Sequence, residues 1–186
     1  MAKTFTVLGF AGSLRKHSFN KSILAAAAES LPENTTLEIF DLGGIPPFNQ
    51  DLEKQPPEKV REFKAKIRSA DALLIATPEY NYSVPGVLKN AIDWGSRPYG
   101  DNAFDDKPVA LMGASVGTIG TARAQYHLRQ TFVFLNMHPL NSPEVMVTSA
   151  HEKVDKDGKV TDPKTREKIK ELVERLVVWA GRLKRP

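Results

Sequence analysis

Phe5-Thr6-Val7-Leu8-Gly9-Phe10-Ala11 runs directly into Gly12-Ser13-Leu14-Arg15-Lys16-His17-Ser18-Phe19-Asn20. A short apolar segment passes through a polar loop into a helical pattern, with Phe19, Ile23, Leu24, Ala27 and Leu31 on one face. Strand, short connection and helix form the repeating unit of parallel α/β sheets. The rest of the chain repeats the alternation. Leu37–Phe40 reads as a second strand, and a Gly-, Pro- and Asn-rich loop covers 41–55. Pro56-Pro57 opens a helix with Val60, Phe63 and Ile67 at spacings of three and four. Ala72–Ala76 is continuously apolar, as a strand buried on both faces must be. Val84–Trp94 continues through a loop into a helix, Val109–Met112 is a fourth strand, Ala122–Leu135 a helix, and Val145–Val147 part of a short fifth strand. Ser149–Asp162 reads as a polar, exposed excursion. Asp162-Pro163 is a helix start, with Asp as N-cap and Pro in the first turn. The helix that follows is expected to bury Ile169, Leu172, Val173, Leu176, Ala180 and Leu183.

Five strands alternating with helices imply right-handed crossovers and a doubly wound parallel sheet within one domain spanning 1–186. Ligands of such sheets bind at the carboxyl ends of the strands, where the strand order reverses. The loops after strands one, three and four are therefore the places to look.

The first of these loops offers hydroxyls at Ser13 and Ser18, a guanidinium at Arg15 and an amide at Asn20, where a helix begins. Free N–H groups and the positive end of the helix dipole favour phosphate there, and arginine adds a forked donor. Gly9 and Gly12 do not complete a G-x-G-x-x-G fingerprint, and Asn20-Lys21-Ser22 lacks the glycine of a nucleoside triphosphate loop. The loop suits a terminal phosphate monoester. The competing reading is an ordinary Ser/Asn-rich helix start with Arg15 in solvent. After strand three, Pro78-Glu79-Tyr80-Asn81-Tyr82-Ser83-Val84-Pro85 is stiffened by its two prolines, with aromatic surface at Tyr80 and Tyr82. Such a loop can aim backbone groups at a flat heterocycle with a polar edge. After strand four, Gly113–Gly120 carries Ser115 and Gly117 in a segment whose glycines permit close approach to a ligand.

Taken together, Gly12–Asn20, Pro78–Trp94 and Gly113–Gln130 resemble the NADPH-dependent FMN reductase family, in particular its chromate/quinone reductase branch. The resemblance implies a flavodoxin-like fold with strand order 2-1-3-4-5, bound FMN, and NADPH or NADH as electron donor. By position, Ser13, Arg15, Ser18 and Asn20 would hold the FMN phosphate. Pro78, Glu79, Tyr80 and Asn81 would meet the isoalloxazine ring, largely through backbone, and Ser115 and Gly117 would close the other side. Homodimers or homotetramers are implied, with Arg123, Tyr126 and Glu144 at positions that bridge subunits. His17 stands where the family more usually has a small residue. The stretch Arg97–Lys107 is long for the family and is expected near the flavin's open face. Arg97 is a candidate for binding nucleotide or an anionic acceptor; a salt bridge to Asp101, Asp105 or Asp106 is the alternative.

The implied activity is transfer of electrons from NAD(P)H to quinones, chromate, azo dyes or free flavin, by a ping-pong course. The flavin carries the chemistry, so no catalytic side chain is assigned. A flavodoxin-type electron carrier is the alternative. Such carriers are typically strongly acidic, whereas this chain has 26 basic and 22 acidic residues, a net charge of +4 and a pI near 9.2. The excess is spread along the chain, which argues against nucleic acid as a partner. There is no cysteine, so thiol and iron–sulfur chemistry are excluded. No pair among His17, His127, His138 and His151 has helical metal-ligand spacing, so no metal is expected. No apolar run approaches the roughly 20 residues of a membrane span, and Met1-Ala2-Lys3 lacks the pattern of a signal peptide. A cytoplasmic protein is expected.

Overall fold

The computed structural model describes residues 4–184, so Met1–Lys3 lie outside the described residues. Its strands are β1 (Phe5–Ala11), β2 (Thr35–Phe40), β3 (Ala72–Ala76), β4 (Pro108–Ala114), β5 (His138–Pro139) and β6 (Val145–Val147). Its helices are α1 (Phe19–Ala28), α2 (Glu58–Ser69), α3 (Gly86–Gly95), α4 (Ala122–Leu135), α5 (Ala150–Lys153) and α6 (Pro163–Leu183). All strand pairs are parallel, in the order β2-β1-β3-β4, with β5 and β6 both against β4. This is the flavodoxin-like order 2-1-3-4-5, with its fifth position shared by two short pieces. Pro139 and Pro143 have no N–H for the ladder, and the chain leaves the sheet edge between the pieces.

Strand alternation divides the interior in two. Val7, Leu74, Ala110 and Met112 face one way, onto Ile23 and Leu24 of α1 and Ile169, Leu172, Val173 and Leu176 of α6. Leu8, Phe10, Leu73, Ile75 and Leu111 face the other way, onto Phe63 and Ile67 of α2, Leu88 and Ile92 of α3, and Leu128 and Phe132 of α4. Each such side chain, fully buried, contributes about 1.5–3 kcal/mol. The 41–57 loop, which contains a short 3₁₀ turn at Gln50–Leu52, is pinned along α3. Trp94 Nε1 and Asn90 Nδ2 donate to Pro46 O at 2.8 and 2.9 Å, and Phe48 N donates to Asn90 Oδ1 at 2.7 Å.

Several boundaries differ from the sequence reading. Leu31 lies beyond the end of α1, and Leu183 is exposed because α6 has by then left the sheet. The 149–162 excursion is not wholly exposed. It holds α5 and a small bridge between Val154 and Val160, and both valines are buried. Asp162 does cap α6, accepting from Thr165 N at 2.8 Å. Among the described residues no helix is long and apolar enough to cross a membrane.

The 97–107 stretch packs within the chain against α2, with Phe104 buried beside Phe63, and on the last turn of α4. The buried Lys64 ammonium donates to Arg97 O and to Asp101 Oδ2 at 2.6 Å, and Arg68 also pairs with Asp101. Asn102 Nδ2 donates to Leu135 O at 2.9 Å, and Asp106 N to Asn136 O at 3.0 Å. The hydrogen bond from Lys64 holds the Asp101 carboxyl below the ordinary range, helped by the charges of Lys64 and Arg68. With its folded pKa depressed, Asp101 adds stability that is complete above about pH 3.9 and is lost as pH falls through the folded value. Because Asp101 is half exposed, Asp101→Asn is expected to cost about 1 kcal/mol at pH 7, a drop in Tm of roughly 2–4 °C. At pH 3 the two proteins should differ much less, and thermal melts at the two pH values check this.

Candidate active site

The sheet ladder continues one residue beyond three adjacent strands. Gly12 N donates to Ala76 O at 2.8 Å, Thr77 N to Met112 O at 2.9 Å, and Ser115 N to Val147 O at 2.9 Å. The loops after β1, β3 and β4 therefore diverge from one level of the carboxyl edge. Between them lies a cleft of two lobes, about 200 and 350 Å³, that meet at Glu79 and Ser115. Ser13, Arg15, Ser18, Asn20, Pro78 and Tyr80 line the smaller lobe, and Asn81 and Gly117 the larger. All ten candidate binding residues picked out in the sequence thus border one or the other of these adjoining lobes. Arg97 does not. Within the chain it lies at the end of α3, with Nη1 3.6 Å from Glu53 Oε1 and its guanidinium over the Tyr99 ring. None of the three aspartates proposed as its partner takes that role. Asp101 pairs with Lys64 and Arg68, Asp105 accepts from Asn136, and Asp106 pairs with His138. The 97–107 stretch is likewise not beside the cleft of its own chain. It joins the end of α3 to the start of β4, so it leaves from the amino edge of the sheet.

In the smaller lobe Ser18 is the N-cap of α1 and its Oγ accepts from Asn20 N at 3.3 Å, while Ser13 Oγ accepts from Arg15 N at 3.4 Å. Both serines are buried, but Arg15 is exposed, and its guanidinium has no partner among the described residues. The first turn of α1 has no acidic side chain to offset its dipole. Asn20 has a task that spacing could not reveal. Its Nδ2 donates to Ala114 O and its Oδ1 accepts from Ala114 N, both at 3.0 Å and buried. The side chain mimics a peptide unit and ties the start of α1 to the end of β4, across 94 residues of sequence.

The larger lobe rests on a turn. Tyr80 N donates to Ser83 O at 3.1 Å and Ser83 N to Tyr80 O at 3.0 Å. Asn81 and Tyr82 between them have φ of 49° and 66°. This is a type I′ turn, and placing a tyrosine in the left-handed region costs of order 1–3 kcal/mol. The surroundings hold it there. Glu79, buried at 5% side-chain exposure, accepts from the backbone N–H of Arg123 at 3.0 Å and of Ala124 at 3.2 Å, and pairs with Arg123 Nε. Its carboxylate caps α4, whose own N-cap residue Thr121 makes no side-chain cap. The Arg123 guanidinium then lies 3.5 Å from the centre of the Tyr82 ring. Ser83 Oγ meets His127 Nδ1 at 2.9 Å, a second tie to α4. Thr118 and Ile119, within the 113–120 segment but not singled out in it, also line this lobe. Their backbone N–H groups, like those of Asn81 and Tyr82, are unpaired among the described residues. Gly113 and Gly120 make the loop possible. A Cβ at Gly113 would come within 1.8 Å of Thr121 Oγ1, and Gly120 has φ +65° against Met146.

The sequence profile of the NADPH-dependent FMN reductase family matches residues 5–152. The chain belongs to this family. It is 51% identical over 185 residues to an NAD(P)H-dependent FMN reductase of Pseudomonas aeruginosa, covering 99% of this chain and all of that one. A quinone reductase of Pseudomonas putida is 42% identical over 180 residues, 96% of each chain. Among solved structures, a flavoenzyme NAD(P)H:(acceptor) oxidoreductase from Paracoccus denitrificans superposes with a TM-score of 0.87. It is 37% identical and covers 96% of this chain and 98% of its own.

Asn20→Ala would leave the buried N–H and C=O of Ala114 unpaired, an expected loss of about 1–3 kcal/mol of unfolding free energy. Asn20→Asp keeps the acceptor but sets a buried carboxylate against the Ala114 carbonyl in place of the donor, so its cost should be at least as large. Urea unfolding of the three apoproteins measures the series.

Proposed function

We infer that this chain is an FMN-dependent NAD(P)H oxidoreductase that reduces small acceptors of the quinone class, with chromate, azo dyes and free flavin as further candidates. One observation carries the reading: an unpaired arginine and buried hydroxyls at a helix start line a lobe that adjoins, at Glu79 and Ser115, the lobe beside an aromatic turn rich in free N–H groups. The donors fit the cofactor. Arg15, Ser18, Ser13 and the start of α1 present positive charge and hydrogen-bond donors with no acceptor of their own. The one carboxylate on the cleft, Glu79, is already neutralised by Arg123 and the α4 N-terminus. A phosphate dianion therefore meets no uncompensated negative charge.

In this reading Ser13, Arg15 and Ser18 hold the phosphate. Asn20 acts chiefly as a brace that sets the smaller lobe against the Ser115–Gly117 segment, with a second amide hydrogen still free for the ligand. Pro78, Glu79, Tyr80 and Asn81 hold the ring on one side through the turn, and Ser115 and Gly117 border it on the other. Bound FMN supplies reversible hydride and electron transfer, which no side chain here can supply. The protein would hold the cofactor between its turn and the Ser115–Gly120 loop, and one open side would then serve donor and acceptor in succession. Initial rates with NADH or NADPH and a benzoquinone should then give parallel double-reciprocal lines, and intersecting lines would contradict the shared opening.

The chain carries this chemistry as one domain and assembles as a dimer or tetramer. Support comes from the outer face of α4, where Tyr126, Val133 and Phe134 are 51, 82 and 74% exposed. Tyr126 Oη donates to Glu144 Oε1 at 2.9 Å on the same surface. Light scattering at micromolar concentration tests the assembly.

Arg15→Ala is expected to weaken FMN binding about 10- to 150-fold, the loss of a charge-assisted hydrogen bond. Riboflavin, which lacks the phosphate, should bind nearly as before. Titration of both ligands into apoprotein decides it: equal losses would place Arg15 in support of the fold rather than on the phosphate.

A further inference from the structure

A second cleft opens on the same edge of the sheet, one strand beyond the first loop. It has a volume of about 270 Å³ and is lined by Ala11, Lys21, Leu24, Ile39, Phe40 and Asp41. Phe40 is buried against α2, so alternation turns Ile39 toward the α1 side of the sheet. There α1 leaves Ile39 uncovered, and it is 51% exposed. The walls are thus mostly aliphatic, with one unpaired charge of each sign at the rim. Lys21 has no hydrogen-bond or ion-pair partner among the described residues. Asp41 accepts from Gly43 N at 3.0 Å through Oδ1, leaving Oδ2 open. Lys21 follows Ser18 by three residues, about 4.5 Å along the helix axis. Asp41 immediately follows β2, the neighbour of β1.

We propose that this cleft is a subsite for the adenosine 5′-phosphate part of the nicotinamide dinucleotide. The aliphatic walls suit a purine, Lys21 suits a phosphate, and Asp41 suits the ribose diol. A carboxylate at the end of the second strand is where many dinucleotide-binding sheets hold that diol. The span also fits. β2 lies two strands from β3 and three from β4, roughly 10–14 Å, a distance within the reach of a dinucleotide. Lys16, exposed in the intervening loop, adds a positive charge that suits the pyrophosphate. The Asp41 carboxylate would repel a 2′-phosphate, so the subsite favours NADH over NADPH.

The proposal rests on the NAD(P)H-dependent reading above, and the experiment separates the two. FMN-loaded protein is assayed with NADH, NADPH and reduced nicotinamide mononucleotide, which lacks the adenosine, at fixed quinone. Oxidation of the mononucleotide by the parent protein reports the function itself. Lys21→Ala and the cleft-filling Ile39→Trp should each lower kcat/KM for NADH about tenfold, the loss of one partly exposed contact, and leave the mononucleotide unaffected. Asp41→Ala should lower the NADH-to-NADPH ratio of kcat/KM severalfold. Equal losses for all donors, or none for any, would overturn the proposal. So would a weaker affinity of Ile39→Trp apoprotein for FAD with NADH kinetics unchanged, because the cleft would then take the adenosine of a flavin dinucleotide.

Discussion

Every strand of this sheet runs in the same direction, and the site follows from that constraint. A parallel strand can return only through a crossover, so each strand end at the carboxyl edge must lead into a loop and then a helix start. Between β1 and β3 the crossovers turn to opposite sides, and the loops there separate instead of packing over one another. The two-lobed cleft between them is what that divergence leaves. Helix starts face it as well, because the helices run back from the same edge, and that of α4 is met by the Glu79 carboxylate.

Divergent loops need to be held, and two polar side chains do so. Asn20 fastens the start of α1 to the end of β4, so the smaller lobe cannot drift from the Ser115 loop. Glu79 fastens the turn after β3 to the start of α4, and Arg123 carries the tie onward to the Tyr82 ring. The Asn20 tie is buried and the Glu79 tie partly so, where an unmade hydrogen bond is costly and a made one is rigid. They let the turn keep Asn81 and Tyr82 in left-handed conformations that a free loop would relax. Strain of this kind persists only where the surroundings over-determine it.

The electrostatics have the same logic. The one acidic side chain on the cleft is also the one most firmly neutralised, by two backbone N–H groups and a guanidinium. Arg15 is left unpaired at the opposite end. The gradient runs from a neutral turn to a cationic helix start, which suits a flat ring at one end and a phosphate at the other.

Much of this was legible in the sequence. Continuous apolar runs such as Ala72–Ala76 can only be strands covered on both faces. Asp162-Pro163 starts a helix for reasons local to those two residues. The polar loops had to lie where the strands end, so their side chains could be picked out before any coordinate. The longer contacts could not. That Asn20 is occupied by Ala114, that Glu79 caps a helix 44 residues on, and that Arg97 turns to Glu53 rather than to a nearby aspartate are outcomes of packing. The broken fifth strand and the exposure of Leu183 are of the same kind. Period and composition report which face of an element is apolar, because burial is a property each residue carries with it. Which polar group meets which is decided only when distant segments are brought together, because a hydrogen bond depends on direction and distance between partners that the chain order does not relate.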